Sequence, residues 1–132
     1  MTIKKINHLA VVVEDIDSAL DFWTKLGLKL DHTAEVPEQA SKIAFLPVGE
    51  CAVELVQPTN PESSLGKYLA KNGPGMHHIC FEVDDINAHL TSLKEQDVQL
   101  INEEPLTRDG KLYAFVHPKS TGGILVELYQ IL

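Results

Sequence analysis

The amino-acid sequence predicts an α+β fold made of two tandem βαβββ modules, and three observations predict it. The first is a repeat: INHLAVVVEDI (6–16) returns seventy positions later within GMHHICFEVDDI (75–86). The second is the alternation of apolar residues in both stretches, which has the period of a strand. The third is a helical apolar stripe directly after each, opened by Asp15 in one copy and Asp85 in the other.

The equivalences run along most of the chain. His8 aligns with His78, Ile16 with Ile86, Leu20 with Leu90, Leu30 with Leu100, and Ala44-Phe45 with Ala114-Phe115. VELVQ (53–57) then matches VELYQ (126–130) at a slightly larger offset, as if 120–123 held a small insertion. A unit of about seventy residues is too long for a solenoid repeat and too short for a large separate domain. The chain is therefore expected to form a single domain over 1–132, with module 1 at about 4–57, a connector at 58–74 and module 2 at about 75–131.

In module 1 the first strand is followed by a helix with Ile16, Leu20, Trp23 and Leu26 on one face, ended by Gly27. Strands are expected at 42–47 and 51–57. In module 2, Asp85 caps a helix with Ile86, Leu90 and Leu93 as its stripe. VQLINEEP (98–105) reads as strand-like, stopped by Pro105, with further strands at 111–116 and 124–131. The connector carries a short helix around Leu65, Tyr68 and Leu69, bracketed by Pro58, Pro61 and Asn72-Gly73-Pro74.

A chain of 132 residues buries roughly two-thirds of its unfolded surface, enough for one core. Hydrophobic residues make up 44% and charged ones 23%, ordinary for a globular protein. No apolar run approaches the about 20 residues that span a bilayer, and MTIKKINHLAVVV alternates like a strand rather than a signal peptide. No membrane partner is expected. Two cysteines, Cys51 and Cys80, in unrelated contexts suit a reduced, cytoplasmic setting as inert thiols. The net charge of −8 argues against nucleic acid, and an anionic ligand would need a local basic patch.

Adjacent strand residues point to opposite faces, so His77 and His78 cannot both face one site. The repeat selects His78, the equivalent of His8. Glu54 and Glu127 recur at equivalent positions in the apolar runs AVELV and LVELY. A carboxylate buried in such a strand is costly unless it is paired or binds a cation. His8, Glu54, His78 and Glu127 together suit a divalent metal such as Co, Mn, Ni, Zn or Fe(II). EVPEQ (35–39) sets Glu38 and Gln39 before a strand, where spacing alone reads as an acidic loop. HPKSTGG (117–123) offers His117, Lys119 and Ser120, either to an anion or as a polar hairpin. His32 and His89 read as surface residues.

Paired βαβββ modules with His and Glu on equivalent strands resemble the vicinal oxygen chelate superfamily, which includes glyoxalase I. Within it, EVPEQ, the histidine pair and HPKSTGG make the chain similar to the methylmalonyl-CoA epimerase family, essentially end to end. The resemblance implies an open eight-stranded, U-shaped, glyoxalase-like sheet around a metal cleft, and a homodimer acting on methylmalonyl-CoA. It implies His8, His78 and Glu127 as metal ligands, with Glu54 at a fourth position, direct or through water. It raises Glu38 to a catalytic acid/base. Epimerisation by two-base proton transfer through an enolate needs a second such group on the opposite face, for which Glu127 or Glu54 is the candidate. Gln39, His117, Lys119 and Ser120 are the weaker substrate contacts. The alternatives are a glyoxalase I-type lactoylglutathione lyase, an Fe(II) dioxygenase, and a metal-free or non-catalytic binding member.

Overall fold

The structure is a computed structural model that describes residues 1–132. Its elements run β1 (Ile3–Val12), α1 (Ile16–Leu26), β2 (His32–Val36), β3 (Ser41–Val48), β4 (Cys51–Pro58), α2 (Ser64–Asn72), β5 (Gly75–Val83), α3 (Ile86–Glu95), β6 (Leu106–Arg108), β7 (Lys111–Val116) and β8 (Leu125–Ile131). This is the expected βαβββ, connector helix, βαβββ. The strands form one eight-stranded mixed sheet in the order β2-β3-β4-β1-β5-β8-β7-β6. The chain divides into two compact units, Leu9–His77, and Met1–His8 with His78–Leu132. The first eight residues thus join the C-terminal unit, and the connector joins the other.

In the unit Leu9–His77, β2-β3 and β3-β4 are antiparallel pairs. Asp15 caps α1 by accepting from the Ser18 backbone N–H, and Gln57 Oε1 on β4 accepts from the Ile16 N–H at 2.9 Å. Helix α1 ends in a Schellman motif: Gly27 takes φ 115°, and the Gly27 and Leu28 N–H groups donate to Thr24 and Trp23. That motif decides the stripe. Leu26, expected in the core, is 61% exposed, and Leu28 packs with Trp23 instead. One core lies between α1 and the sheet, around Val13, Ile16, Ala44, Leu46 and Leu55. On the other face Ala10, Ile43 and Val56 pack with Val36, Phe45 and Leu65.

The unit of Met1–His8 with His78–Leu132 repeats these devices. Asp85 caps α3 through the Ala88 N–H, and Gln130 Oε1 accepts from the Ile86 N–H at 2.8 Å. Asp97 takes the left-handed place of Gly27, at φ 61°, and the Val98 N–H donates to Leu93. The core is Val83, Ile86, Leu90, Ala114 and Leu128. Two expectations fail here. Residues 98–105 form no continuous strand, only the single antiparallel bridge of Leu100 with Val116. The Ile101 N–H donates to the Phe115 carbonyl and the His117 N–H to the Gln99 carbonyl, and beyond that bridge Asn102 Oδ1, accepting from the Phe115 N–H, takes the place of a ladder. The edge strand β6 begins only after Pro105. His89 is no surface residue either: its side chain is 11% exposed, with Nε2 3.3 Å from the Thr2 carbonyl. The expected insertion is real, since β3 and β4 join through Gly49-Glu50 while β7 and β8 are joined by 117–124.

Candidate metal centre and its surroundings

Three adjacent strands, β1, β5 and β8, meet in the unit of Met1–His8 with His78–Leu132. β5 and β8 are parallel, with Cys80 opposite Glu127 and His78 opposite Leu125. Strand alternation puts His78, Cys80 and Glu82 on one face of β5, and the register puts Glu127 on the same face of β8. His8 Nε2 lies 3.1 Å from His78 Nε2 and 3.5 Å from Glu127 Oε1, and His78 Nε2 lies 3.1 Å from that oxygen. His8 and Glu127 are each 7% exposed. The edge of the His78 ring meets Phe115 at 5.9 Å, and Phe115 is the cross-strand partner of Glu127.

Burial works to raise the Glu127 pKa, but hydrogen bonds and charge from His78 and His8 outweigh it and take the group down to about 2. The site therefore holds an ionised carboxylate against two imidazole nitrogens. This donor set fits a divalent cation. Atoms about 2.1 Å from one ion stand about 3.0 Å apart when cis in an octahedron and about 3.4 Å apart in a tetrahedron. Of the three observed separations, two at 3.1 Å lie in that range and the third, 3.5 Å, lies just above it. Cys80 Sγ adds a fourth atom, within 4.8 Å of donor atoms of His8 and Glu127. Cys80 was read as an inert thiol; the missed signal is its place two residues after His78, on the same face.

The other sequence candidates lie as follows. His77 turns from this group and meets the Tyr68 ring edge-on at 4.8 Å. Glu54 is half-buried on β4 opposite Phe45, the arrangement that Glu127 and Phe115 repeat. Val53 and Leu55 pack beneath α1, so alternation sets Glu54 on the other face. Glu38 and Gln39 form an exposed 3-10 turn between β2 and β3 (Pro37–Gln39), closed by Ala40 at φ 49°. His117 Nδ1 accepts from the Lys119 N–H, and Ser120 Oγ accepts from the Gln99 N–H. Those two side chains shape the β7–β8 connection. Asn7 and Glu82, which the sequence reading passed over, stand beside His8: Asn7 Oδ1 is 2.8 Å from His8 Nδ1, and Asn7 Nδ2 donates to Glu82 Oε1 at 3.3 Å.

Known proteins resemble this chain in sequence and in fold. Residues 7–115 match the Glyoxalase/Bleomycin resistance protein/Dioxygenase superfamily. The human mitochondrial methylmalonyl-CoA epimerase is 38% identical over 129 residues, which is 96% of this chain and 73% of that protein. The ethylmalonyl-CoA/methylmalonyl-CoA epimerase of Cereibacter sphaeroides is 33% identical, covering 98% of this chain and 99% of that one. A Streptomyces coelicolor methylmalonyl-CoA epimerase variant, solved in complex with 2-nitronate-propionyl-CoA, has a TM-score of 0.88 at 30% identity, covering 98% of this chain and 96% of that one. The chain belongs to the glyoxalase/bleomycin resistance protein/dioxygenase superfamily and, within it, to the methylmalonyl-CoA epimerase family.

Proposed function

We propose that this chain interconverts (2R)- and (2S)-methylmalonyl-CoA in a metal-dependent epimerisation. The observation that carries the reading is the convergence of His8 Nε2, His78 Nε2 and Glu127 Oε1 in a chain of this family. These three residues would hold the ion, with Glu54 as a fourth donor on the strength of its equivalence to Glu127 in the repeat. When bound, a Co, Mn, Ni or Zn ion supplies positive charge for the oxygens of the thioester and carboxylate, where negative charge develops.

The proton chemistry falls to carboxylates of the chain. The substrate's α carbon lies between a thioester and a carboxylate, so losing its proton leaves an enolate. Glu38 takes or returns the proton on one face; its support is the EVPEQ motif, which the resemblance ties to the acid/base. The opposite face needs a second group, Glu127 or Glu54. The two differ in a measurable way: removing a ligand costs metal and turnover together, whereas removing a base costs turnover alone. Gln39, Lys119, His117 and Ser120 are proposed to border the substrate. We further propose, from the resemblance, a homodimer and a place in propionate metabolism.

The test is solvent-deuterium exchange at the α carbon of methylmalonyl-CoA, with and without added Co(II), beside methylglyoxal plus glutathione. Metal-dependent exchange with loss of stereochemical purity is expected. Absence of exchange in the metal-loaded protein would sink the proposal, and turnover of the hemithioacetal instead would assign the site to a lactoylglutathione lyase. Glu38→Gln is expected to lose about 10²–10⁴-fold in turnover, the worth of a positioned acid/base, with metal content unchanged.

A further inference from the structure

We propose that Asn7 and Glu82 position His8, by fixing which ring nitrogen carries its hydrogen; the proposal rests on the reading of His8 as a metal ligand. Glu82 is buried on β5, on the same face as His78 and Cys80, with Lys4 Nζ at 4.0 Å. Its carboxylate accepts from Asn7 Nδ2 at 3.3 Å. A carboxylate cannot donate, so the amide NH₂ of Asn7 must face Glu82 and its carbonyl oxygen must face away. That oxygen stands 2.8 Å from His8 Nδ1. An amide oxygen only accepts, so Nδ1 of His8 must be the N–H. A neutral imidazole has one N–H, and the lone pair is therefore on Nε2, the atom that faces His78 and Glu127.

Free histidine favours the opposite tautomer, with the hydrogen on Nε2, which cannot bind a metal through that atom. The three side chains in series thus convert a buried carboxylate on β5 into a ligand-ready nitrogen on β1. The order of polarity matters: if Glu82 were replaced by an amide, Asn7 could turn over and present its NH₂ to Nδ1. A plain cross-strand tie between Asn7 and Glu82 would need the same orientation of the amide, but cutting it would leave the His8 tautomer and the Co(II) affinity unchanged. Metal-binding histidines in general depend on such a partner at the other nitrogen, and losing it typically costs 10–100-fold in metal affinity.

The experiment uses metal-free protein labelled with 15N-histidine, at a pH where imidazoles are neutral, and long-range 1H–15N spectra that report each ring's tautomer. Co(II) affinity is measured beside it by competition with a chromophoric chelator. The wild-type chain should show His8 as the Nδ1–H tautomer. Asn7→Leu should lose that signature and about 10–100-fold in Co(II) affinity. Asn7→Asp keeps an acceptor at Nδ1 and should retain both, and Glu82→Gln should give mixed tautomers with part of the loss. His8→Ala is the control for the underlying reading: unchanged Co(II) affinity there would refute His8 as a ligand. Loss of Co(II) in His8→Ala, with wild-type tautomer and affinity in folded Asn7→Leu or Glu82→Gln, would overturn the positioning role alone.

Discussion

Glu127→Gln in the metal-free protein tests the electrostatics of the centre without relying on turnover. In the folded chain the Glu127 carboxyl sits at about 2, against an ordinary glutamate value of 4.5. The cost of burial is included in that figure, and the hydrogen bonds and charge from His78 and His8 exceed it. Because the folded value lies below the unfolded one, the carboxylate contributes stability above about pH 4.5 and loses it as pH falls through about 2. The interval from 4.5 to about 2 corresponds to about 3 kcal/mol at pH 7, of which a little under half remains at pH 3. Glutamine keeps the shape and removes the titration. Urea unfolding of both chains in EDTA, from pH 7 to 3, gives their difference in stability. Circular dichroism is the better probe, since the sole tryptophan, Trp23, lies in the unit that does not contain Glu127. The difference should shrink by about half over this range. A constant difference would show that the imidazoles do not hold Glu127 ionised, and the account of the centre would fail.

His78→Ala should abolish stoichiometric Co(II) binding, while His77→Ala should keep it and lose about 1 kcal/mol from the Tyr68 edge contact; metal analysis after gel filtration, with urea melts, separates the two. Loss of metal in His77→Ala would reverse the assignment of the pair. Gln130→Met leaves the Ile86 N–H without its acceptor at the start of α3 and should cost about 1–3 kcal/mol, as should Gln57→Met at α1. Unfolding midpoints equal to the unmutated chain in either variant would show that the strand-to-helix tie contributes nothing.

Much of this protein was legible in its sequence because the information is local and written twice. Strand period, the caps at Asp15 and Asp85 and the helix end at Gly27 depend on neighbours within a few residues. The seventy-residue offset then turned single histidines and glutamates into equivalent pairs, and even Gln57 and Gln130 recur with the same bond to a helix start. Tertiary structure alone decided the rest. That His8, His78 and Glu127 bring single atoms within 3.5 Å depends on β1, β5 and β8 lying side by side, although His8 and His78 are 70 residues apart in the chain. The Asn7–Glu82 bond crosses 75 residues, and no period announces it. Residues 98–105 had a strand's composition, yet after one bridge, Leu100 with Val116, the Asn102 side chain bonds the Phe115 backbone and the ladder stops. His89 had a surface residue's position on its helix, yet the chain's first residues cover it. Periodicity tells which face a side chain takes; what waits on that face is set by packing between distant segments, and the chemistry of this site resides there.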